Sequence, residues 1–452
     1  MAYGVRDIAF NGPWGIYRVR LIVGHKDSSI CTILGEVSMA PIYFANTSII
    51  PIFADMKSFQ IRLLLLLFGA VMCARGYAQS LRLEKADGVF SLGDTVRVWA
   101  TARDGSDSLV FRECFNSPTA KSLGDIGFIV APKEFRPGFE EPQDFRSWWN
   151  SEISRMRALP LEAKLEEVPS NDPGVRTFSI EIPMHEGNPV RGYIGIPKDA
   201  KPGGHPIYMF AHGAGRITRI WTRASSEREV LTYAKKEAIS IDINAHGMLN
   251  DAPPEYYERL DTTDLYKYQE QPLKDRESYY FRLMFLRMVR ALDYMCSREE
   301  WDGKRVLLQG ESQGGAQCIA LAGLDPRVGA VVATVPAMTD LGGSLQGRQC
   351  AWPFQDRPQI PLSNLGRQIL PYFDAALHLK YFKGLLYMEA GLIDVTCPAA
   401  GIVAGYNNTG AIKKEIHFFP YRGHTNWTCN SKEEWDKTVL MERTRFIEDY
   451  LK

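Results

Sequence analysis

Hydrophobic and polar residues change their spacing repeatedly along the chain, and these changes predict where strands and helices lie. From residue 161 onward, short apolar stretches alternate with longer stretches of helical spacing. Such alternation is typical of an α/β fold with a mostly parallel sheet and helices on both faces. The predicted strands are LEAKLEEV, VRTFSIEIP, VRGYIGIP, HPIYMFA, ISIDINA, KRVLLQG, VGAVVATVP, GLLYMEAGLID and KEIHFFPYRGH.

Helical spacing appears between these strands and at both ends of the set. The longest helical stretches are PQDFRSWWNSEISRMRAL, RESYYFRLMFLRMVRALDYMCS and the terminal SKEEWDKTVLMERTRFIEDYLK. Two stretches, 248–277 and 338–366, fit neither period. Insertions between a strand and its next helix often shape an active site, so we expect these two to border one.

A different pattern precedes the α/β region. Residues 80–132 contain short alternating stretches, DTVRVWATA, GSDSLVFREC and IGFIVAP, separated by turn residues. They predict a small β-sandwich-like module. The proline-rich and charged segment APKEFRPGFEEPQDF then leads into the α/β domain, residues 133–452. The module either binds carbohydrate or serves as a packing or spacing domain.

The N-terminal region has the features of an export signal. Residues 1–55 show no clear periodicity. In MKSFQIRLLLLLFGAVMCARGYA, residues 56–78, two basic residues precede an apolar run and a small-residue cleavage site. The run is too short to span a bilayer, which needs ~20 residues. Residues 56–78 are therefore predicted to be a signal peptide, with Met56 as the true start and residues 1–55 upstream of it. The mature protein is then periplasmic or secreted, without stable membrane insertion.

Composition narrows the classes of function. The 452 residues include 53 basic and 53 acidic side chains, so net charge gives no reason to expect nucleic acid as a partner. The sequence has no HExxH, no cysteine pair with zinc spacing and no phosphate-binding loop. We therefore predict no metal and no cofactor. The pairing of the cysteines stays open.

The motif GESQG, residues 310–314, carries the strongest chemical signal. It lies between a predicted strand and a predicted helix, which is the context of a nucleophile elbow. Gly310 and Gly314 allow the tight turn, and Ser312 becomes the candidate nucleophile.

A serine nucleophile needs a base and an acid that orients the base. Downstream, Asp394 and His424 each follow the end of a predicted strand, in the chain order expected for this fold. They are the candidate acid and base. Weaker candidates, which lack this placement, are Asp340, Asp374, His378 and His417.

The oxyanion of an acyl-transfer reaction needs two donors. The first predicted donor is the backbone N–H of Gln313, the residue after the nucleophile. The second is the N–H of Ala214, in the glycine-rich loop that follows HPIYMFA. His212 in that loop is expected to hold the loop by hydrogen bonds.

The segment from about 136 to 452 resembles the acetyl xylan esterase and cephalosporin-C deacetylase family of carbohydrate esterases. The matching pieces are PQDFRSWW, AHGAG, GLIDVTCPA, FPYRGH and the long stretch from FLRMVRALDYMCS to VVATVP. The resemblance implies an α/β-hydrolase fold, removal of acetyl groups from short xylo-oligosaccharides and similar esters, and the same triad.

The chain also departs from the family pattern. Asn244-Ala245-His246 stands where the family usually has Arg-Gly-Gln, and Thr425 follows His424 where the family usually has Glu. His246 either replaces that glutamine structurally or lines the pocket, and Trp352 in the second insertion could stack on a sugar ring. The family forms ring-shaped hexamers, so a homo-oligomer stays open.

Together these observations predict an exported serine esterase that deacetylates acetylated xylo-oligosaccharides or related acetylated sugars. A serine peptidase or longer-chain carboxylesterase on the same fold is the alternative within the hydrolases. A non-catalytic carbohydrate-binding protein is the alternative from another class.

Overall fold

The computed structural model describes residues 3–12, 15–24, 33–39, 78–102, 105–184, 187–214, 227–425 and 435–452. The chain divides into two compact units, residues 1–68 and 69–452. Apart from Ala78, the predicted signal peptide lies outside the described residues, so it stays a prediction.

The first unit contains one antiparallel sheet. Its strands are β1 (Tyr3–Gly12), β2 (Gly15–Gly24) and β3 (Ile33–Met39), paired in that order. The sequence pattern did not predict these strands. Whether residues 1–55 belong to the native protein stays a prediction.

The second unit opens with an all-β module, as the sequence predicted. Two sheets of three strands, β4-β6-β7 and β5-β9-β8, share a core that includes Val98 from one sheet and Phe128 from the other. Alternate residues of β6 are buried, which is the period expected of a strand with one covered face. The strands are β4 (Ala78–Leu83), β5 (Val89–Phe90), β6 (Thr95–Ala102), β7 (Asp107–Cys114), β8 (Thr119–Ser122) and β9 (Gly127–Val130).

A nine-stranded sheet forms the centre of the second unit, in the order β10-β11-β12-β14-β13-β15-β16-β17-β18. The six strands from β14 to β18 in that order are parallel, and β10, β11 and β12 add an antiparallel edge. The strands are β10 (Lys164–Val168), β11 (Val175–Ile182), β12 (Val190–Pro197), β13 (His205–Ala211), β14 (Ile239–Ile243), β15 (Trp301–Glu311), β16 (Ala330–Thr334), β17 (Leu385–Gly391) and β18 (Lys413–Phe419).

Helices cover both faces of this sheet, which confirms the predicted α/β-hydrolase architecture. Successive residues of β15 show the two faces: Leu307 belongs to the same hydrophobic cluster as Ile447 of the last helix, whereas Leu308 belongs to the cluster that contains Phe285. The helices are α1 (Phe145–Arg157), α2 (Glu227–Ala234), α3 (Pro254–Thr262), α4 (Phe281–Ser297), α5 (Gln313–Leu324), α6 (Gln359–Leu362), α7 (Asn364–Ile369), α8 (Ala375–His378), α9 (Ala399–Asn408) and α10 (Met441–Leu451).

The two predicted insertions do lie outside the sheet. The first contains α3 and a short 3-10 turn at Tyr268–Glu270, and the second contains α6 and the first half of α7. The insertions meet where the Tyr268 and Trp352 rings approach to 6.4 Å between centroids. Within the described part of the chain, the helices are all too short or too polar to cross a bilayer.

Candidate active site

The chain turns sharply at Ser312, between the end of β15 and the start of α5. Ser312 has a φ of 52° and a ψ of −118°, a backbone conformation that few non-glycine residues adopt. Both flanking glycines are required by close approach of the backbone. A Cβ on Gly314 would lie 1.9 Å from the Ala211 carbonyl oxygen, and one on Gly310 would lie 2.3 Å from the Gly314 oxygen. The elbow geometry predicted from the motif is therefore present.

The structure brings the three candidate triad residues into one hydrogen-bonded line. His424 Nε2 lies 2.9 Å from Ser312 Oγ, and His424 Nδ1 lies 2.8 Å from Asp394 Oδ2. Ser312 and Asp394 are buried, while His424 keeps 17% of its side chain exposed. An imidazole in this position can accept the serine proton at one nitrogen while its other nitrogen donates to the carboxylate.

Backbone donors fix the orientation of the Asp394 carboxylate. Its Oδ1 accepts hydrogen bonds from the backbone N–H groups of Thr396 and Cys397, each at 2.8 Å. The other oxygen is thereby left for His424. Asp394 lies three residues after the end of β17, so the C-terminal end of this strand fixes where the loop that carries Asp394 begins.

The weaker acid and base candidates lie in other environments. Asp374 accepts backbone hydrogen bonds from Asp340 and Ala376, and Asp340 pairs with Arg348. Burial, and then the neighbouring Asp340 charge, raise the pKa of Asp374 to about 8. His378 hydrogen-bonds the Tyr372 carbonyl, and His417 lies beside Glu442.

The glycine-rich loop after β13 passes directly beside the nucleophile. A Cβ on Gly213 would lie 3.4 Å from the Cβ of Ser312. Ala214 is half-buried, and the loop beyond it lies outside the described residues. Gln313 is the first residue of α5, where helix N–H groups point outward without an intrahelical partner. Both predicted oxyanion donors therefore belong to segments that border Ser312.

His212 is oriented toward the sheet. Its Nε2 lies 2.7 Å from the carboxylate of Asp242 on β14, and both side chains are buried. This hydrogen bond ties the loop to the neighbouring strand.

Tyr268 of the first insertion connects Gln313 to a group of packed aromatic side chains. The Tyr268 hydroxyl donates to Gln313 Oε1, and the Tyr268 ring contacts His246 with centroids 4.6 Å apart. His246 Nδ1 lies 2.7 Å from the Tyr280 hydroxyl oxygen. Burial, aided by the nearby Arg287 charge, lowers the pKa of His246 to about 3, so this histidine is neutral.

Trp352 belongs to the same aromatic group. Its ring is only 7% exposed and packs edge-on against Phe281, with centroids 5.8 Å apart. Its backbone N–H donates at 2.8 Å to the carbonyl of Thr396, which lies in the loop that carries Asp394. Tyr268 and Tyr280 were not predicted from the sequence, because neither lies in a motif and only folding brings Tyr268 to Gln313 and Tyr280 to His246.

Cys397 is a further neighbour of the nucleophile that the sequence analysis did not select. Its thiol contacts the Ser312 side chain, and burial raises its pKa well above the usual range. Possible ligand atoms of Asp394, Cys397 and His424 lie within 4.8 Å of one another. The hydrogen bonds of the Asp394 carboxylate with His424 and with the backbone N–H of Cys397 already account for this proximity. Cys397 lies in GLIDVTCPA, one of the stretches that carry the family resemblance, and this position was the sequence feature that could have identified it.

A buried ion pair supports the loop that carries His424. Glu389 on β17 is fully buried and binds both Arg422, two residues before His424, and Arg443 of α10. Burial alone would raise the pKa of Glu389, but the charges of Arg443 and Arg422 outweigh it and hold the pKa below its ordinary value.

Comparison with known proteins identifies related enzymes. The family model described as acetyl xylan esterase (AXE1) matches residues 130–438. Acetyl esterase Axe7A of Xylanibacter ruminicola is 30% identical over 308 residues, which cover 68% of this chain and 67% of that protein.

Two solved structures share the fold. The acetyl xylan esterase from Paenibacillus sp. R4 is 24% identical with a TM-score of 0.57, covering 71% of this chain and 98% of that one. Acetyl xylan esterase 1 from Thermoanaerobacterium sp. JW/SL YS485 is 22% identical with a TM-score of 0.54, covering 69% of this chain and 97% of that one.

Proposed function

Because the chain belongs to the acetyl xylan esterase family and is a carboxylic ester hydrolase of that type, we propose that Ser312, His424 and Asp394 are its catalytic triad. The observation that carries this proposal is the unbroken hydrogen-bonded line from Asp394 through His424 to Ser312. The strained backbone at Ser312 supports it, since such strain is concentrated at functional sites.

The reaction proceeds in two acyl-transfer steps. Ser312 Oγ attacks the acetyl carbonyl carbon while His424 Nε2 takes the serine proton, and the tetrahedral oxyanion accepts hydrogen bonds from the N–H groups of Gln313 and Ala214. His424 then protonates the departing sugar oxygen and leaves an acetyl ester on Ser312. Water, deprotonated by His424, hydrolyses that ester to acetate.

Acetylated xylo-oligosaccharides or related acetylated sugars are the proposed substrates. Axe7A, an acetyl esterase, supports the acetyl group as the acyl part. The buried, closely packed side chains of Tyr268, Gln313 and Trp352 support a small acyl group beside Ser312. We place the chemistry in the α/β domain, residues 133–452, of a protein exported by the signal peptide at 56–78.

The test is acetate release by the protein beginning at Gln79. Acetylated xylo-oligosaccharides, an acetylated monosaccharide and a butyryl ester are compared, with Ser312→Ala as the control variant. We expect fast release from the acetylated sugars, a steep loss from acetyl to butyryl, and no turnover by Ser312→Ala.

Two outcomes would contradict the proposal in different ways. Turnover retained by Ser312→Ala would exclude the triad. No release of acetate from any acetylated substrate, with Ser312 still labelled by a fluorophosphonate, would mean a working triad with another substrate. The peptidase alternative would then be tested with peptide substrates.

A further inference from the structure

The β-module, residues 80–132, lies against the two loops that carry Asp394 and His424. We call residues 391–398 the acid loop and residues 419–425 the base loop. The contact with the acid loop is a close approach of backbone. A Cβ on Gly127 of β9 would lie 2.1 Å from the carbonyl oxygen of Leu392, so no residue but glycine fits there. Leu392 is buried and stands two residues before Asp394.

The β-module also binds the base loop by hydrogen bonds. The Gly127 N–H donates to the Pro420 carbonyl at 2.8 Å. The Tyr421 hydroxyl donates to the Leu81 carbonyl of β4 at 3.1 Å, and the Tyr421 side chain packs on the core of the module. Gly127 therefore contacts both loops, since its Cα approaches the Leu392 carbonyl and its N–H donates to the Pro420 carbonyl.

The two loops are joined to each other at the same place. The Leu392 N–H donates to the Phe419 carbonyl at 3.0 Å, and the Ile393 N–H donates to the Arg422 carbonyl at 3.2 Å. A shift of either loop would thus move its partner. Because Asp394 follows Ile393 by one residue and His424 follows Arg422 by two, the separation of acid and base depends on how this three-part junction packs.

We propose that the β-module is a positioning element of the active site, which holds the acid loop and the base loop so that Asp394 orients His424. The inference rests on the triad proposed above. It differs from the packing or spacing role and from the carbohydrate-binding role considered for the module, because neither role needs a backbone contact with the loops of the triad. Gly127, Tyr421 and Leu392 act through Asp394 and His424 and are positioning residues.

The test uses Gly127→Ala in the full chain. The added Cβ has to displace Leu392, and a misplacement of about 1 Å in catalytic geometry can cost ~100-fold in rate. We expect kcat for acetyl esters to fall by ~10- to 100-fold with KM near the wild-type value. Tyr421→Phe removes one hydrogen bond at the junction and should lower kcat several-fold with the same KM.

Val98→Ala is the matched control. Val98 is buried in the core of the module on β6, so its truncation loosens the module without adding an atom at the junction. We expect a lower unfolding temperature with kcat close to wild type. The proposal fails if Val98→Ala loses as much kcat as Gly127→Ala, because general destabilisation would then explain both.

Two further results would overturn the inference. The first is a folded Gly127→Ala protein with wild-type kcat. The second concerns the case in which Gly127→Ala does not fold. In that case, a wild-type kcat in Tyr421→Phe would overturn the inference. The rate at which a fluorophosphonate labels Ser312 is measured in every variant. This rate reports the geometry of the nucleophile and base even if no acetyl ester is turned over, so failure of the proposed substrate is distinguished from failure of the positioning role.

Discussion

Replacement of Asp394 by asparagine tests whether this carboxylate sets the proton positions of the triad. Asp394 Oδ1 accepts two backbone N–H groups, from Thr396 and Cys397. In Asp394→Asn the amide oxygen must stay with those donors, because an NH2 group cannot accept them. The amide NH2 then faces His424 Nδ1 and donates to it.

This reversed hydrogen bond leaves His424 in the wrong tautomer. With Nδ1 acting as acceptor, the proton of the neutral ring moves to Nε2, which faces Ser312 Oγ at 2.9 Å. An Nε2 that already carries a proton cannot take the serine proton. The same exchange in a serine-protease triad lowers kcat by ~10⁴-fold with the geometry intact, and we expect a loss of that order here.

Asp374→Asn provides the matched control. Asp374 is also buried, and its Oδ1 also accepts two backbone N–H groups, but these come from Asp340 and Ala376 rather than from the loop that carries Asp394. Since its raised pKa keeps it largely protonated at neutral pH, the neutral amide is close to isosteric with it. We expect kcat within a few-fold of wild type.

The assay is the initial rate of acetate release at pH 7.5, with active sites counted by fluorophosphonate labelling and folding checked by circular dichroism. A folded Asp394→Asn enzyme within about tenfold of the wild-type kcat would refute the tautomer argument. Equal losses in Asp394→Asn and Asp374→Asn would assign the effect to general disturbance of buried acids.

Three further predictions concern single side chains. Ser312→Ala should abolish turnover and leave the unfolding temperature nearly unchanged, and residual acetate release would contradict the triad. Glu389→Gln should lower the free energy of unfolding by ~3–5 kcal/mol in urea titration, because it leaves the buried Arg422 and the half-buried Arg443 without their counter-charge. In the control Glu415→Gln, which lies in surface ion pairs, the free energy of unfolding should fall by only ~0–1 kcal/mol. Equal losses in the two variants would refute the larger contribution of the buried ion pair. For Asp374, the pKa is raised in the folded chain, so its stabilising contribution is present at low pH and is lost as pH rises through about 8. Asp374→Asn should therefore flatten the fall in unfolding temperature between about pH 4 and pH 8, whereas parallel curves would contradict the raised pKa.

Local sequence was sufficient to predict the elbow and to select the candidate nucleophile, acid and base in their chain order. GESQG between a strand and a helix predicted the turn at Ser312, because tight backbone approach admits only glycine on either side. Asp394 and His424 could be selected since each follows a strand of a parallel sheet, and such sheets gather the ends of their strands at one edge.

Local sequence was insufficient wherever partners come from distant segments. Tyr268 is an ordinary tyrosine in an irregular stretch until folding brings its hydroxyl to Gln313, 45 residues along the chain. Glu389 reads as part of a buried strand, and only the packed structure shows that it balances Arg422 and Arg443.

The β-module shows the same division most clearly. Alternation of apolar and polar residues predicted that residues 80–132 form strands, because a strand with one buried face buries every second side chain. Nothing in that period indicates what the module touches. The contact of Gly127 with Leu392 and Pro420 depends on the relative placement of two sheets, which is decided by tertiary packing and leaves no local pattern. The sequence by itself thus predicted the nine strands of the large sheet and selected the candidate triad, whereas only the tertiary structure shows which residues contact that triad.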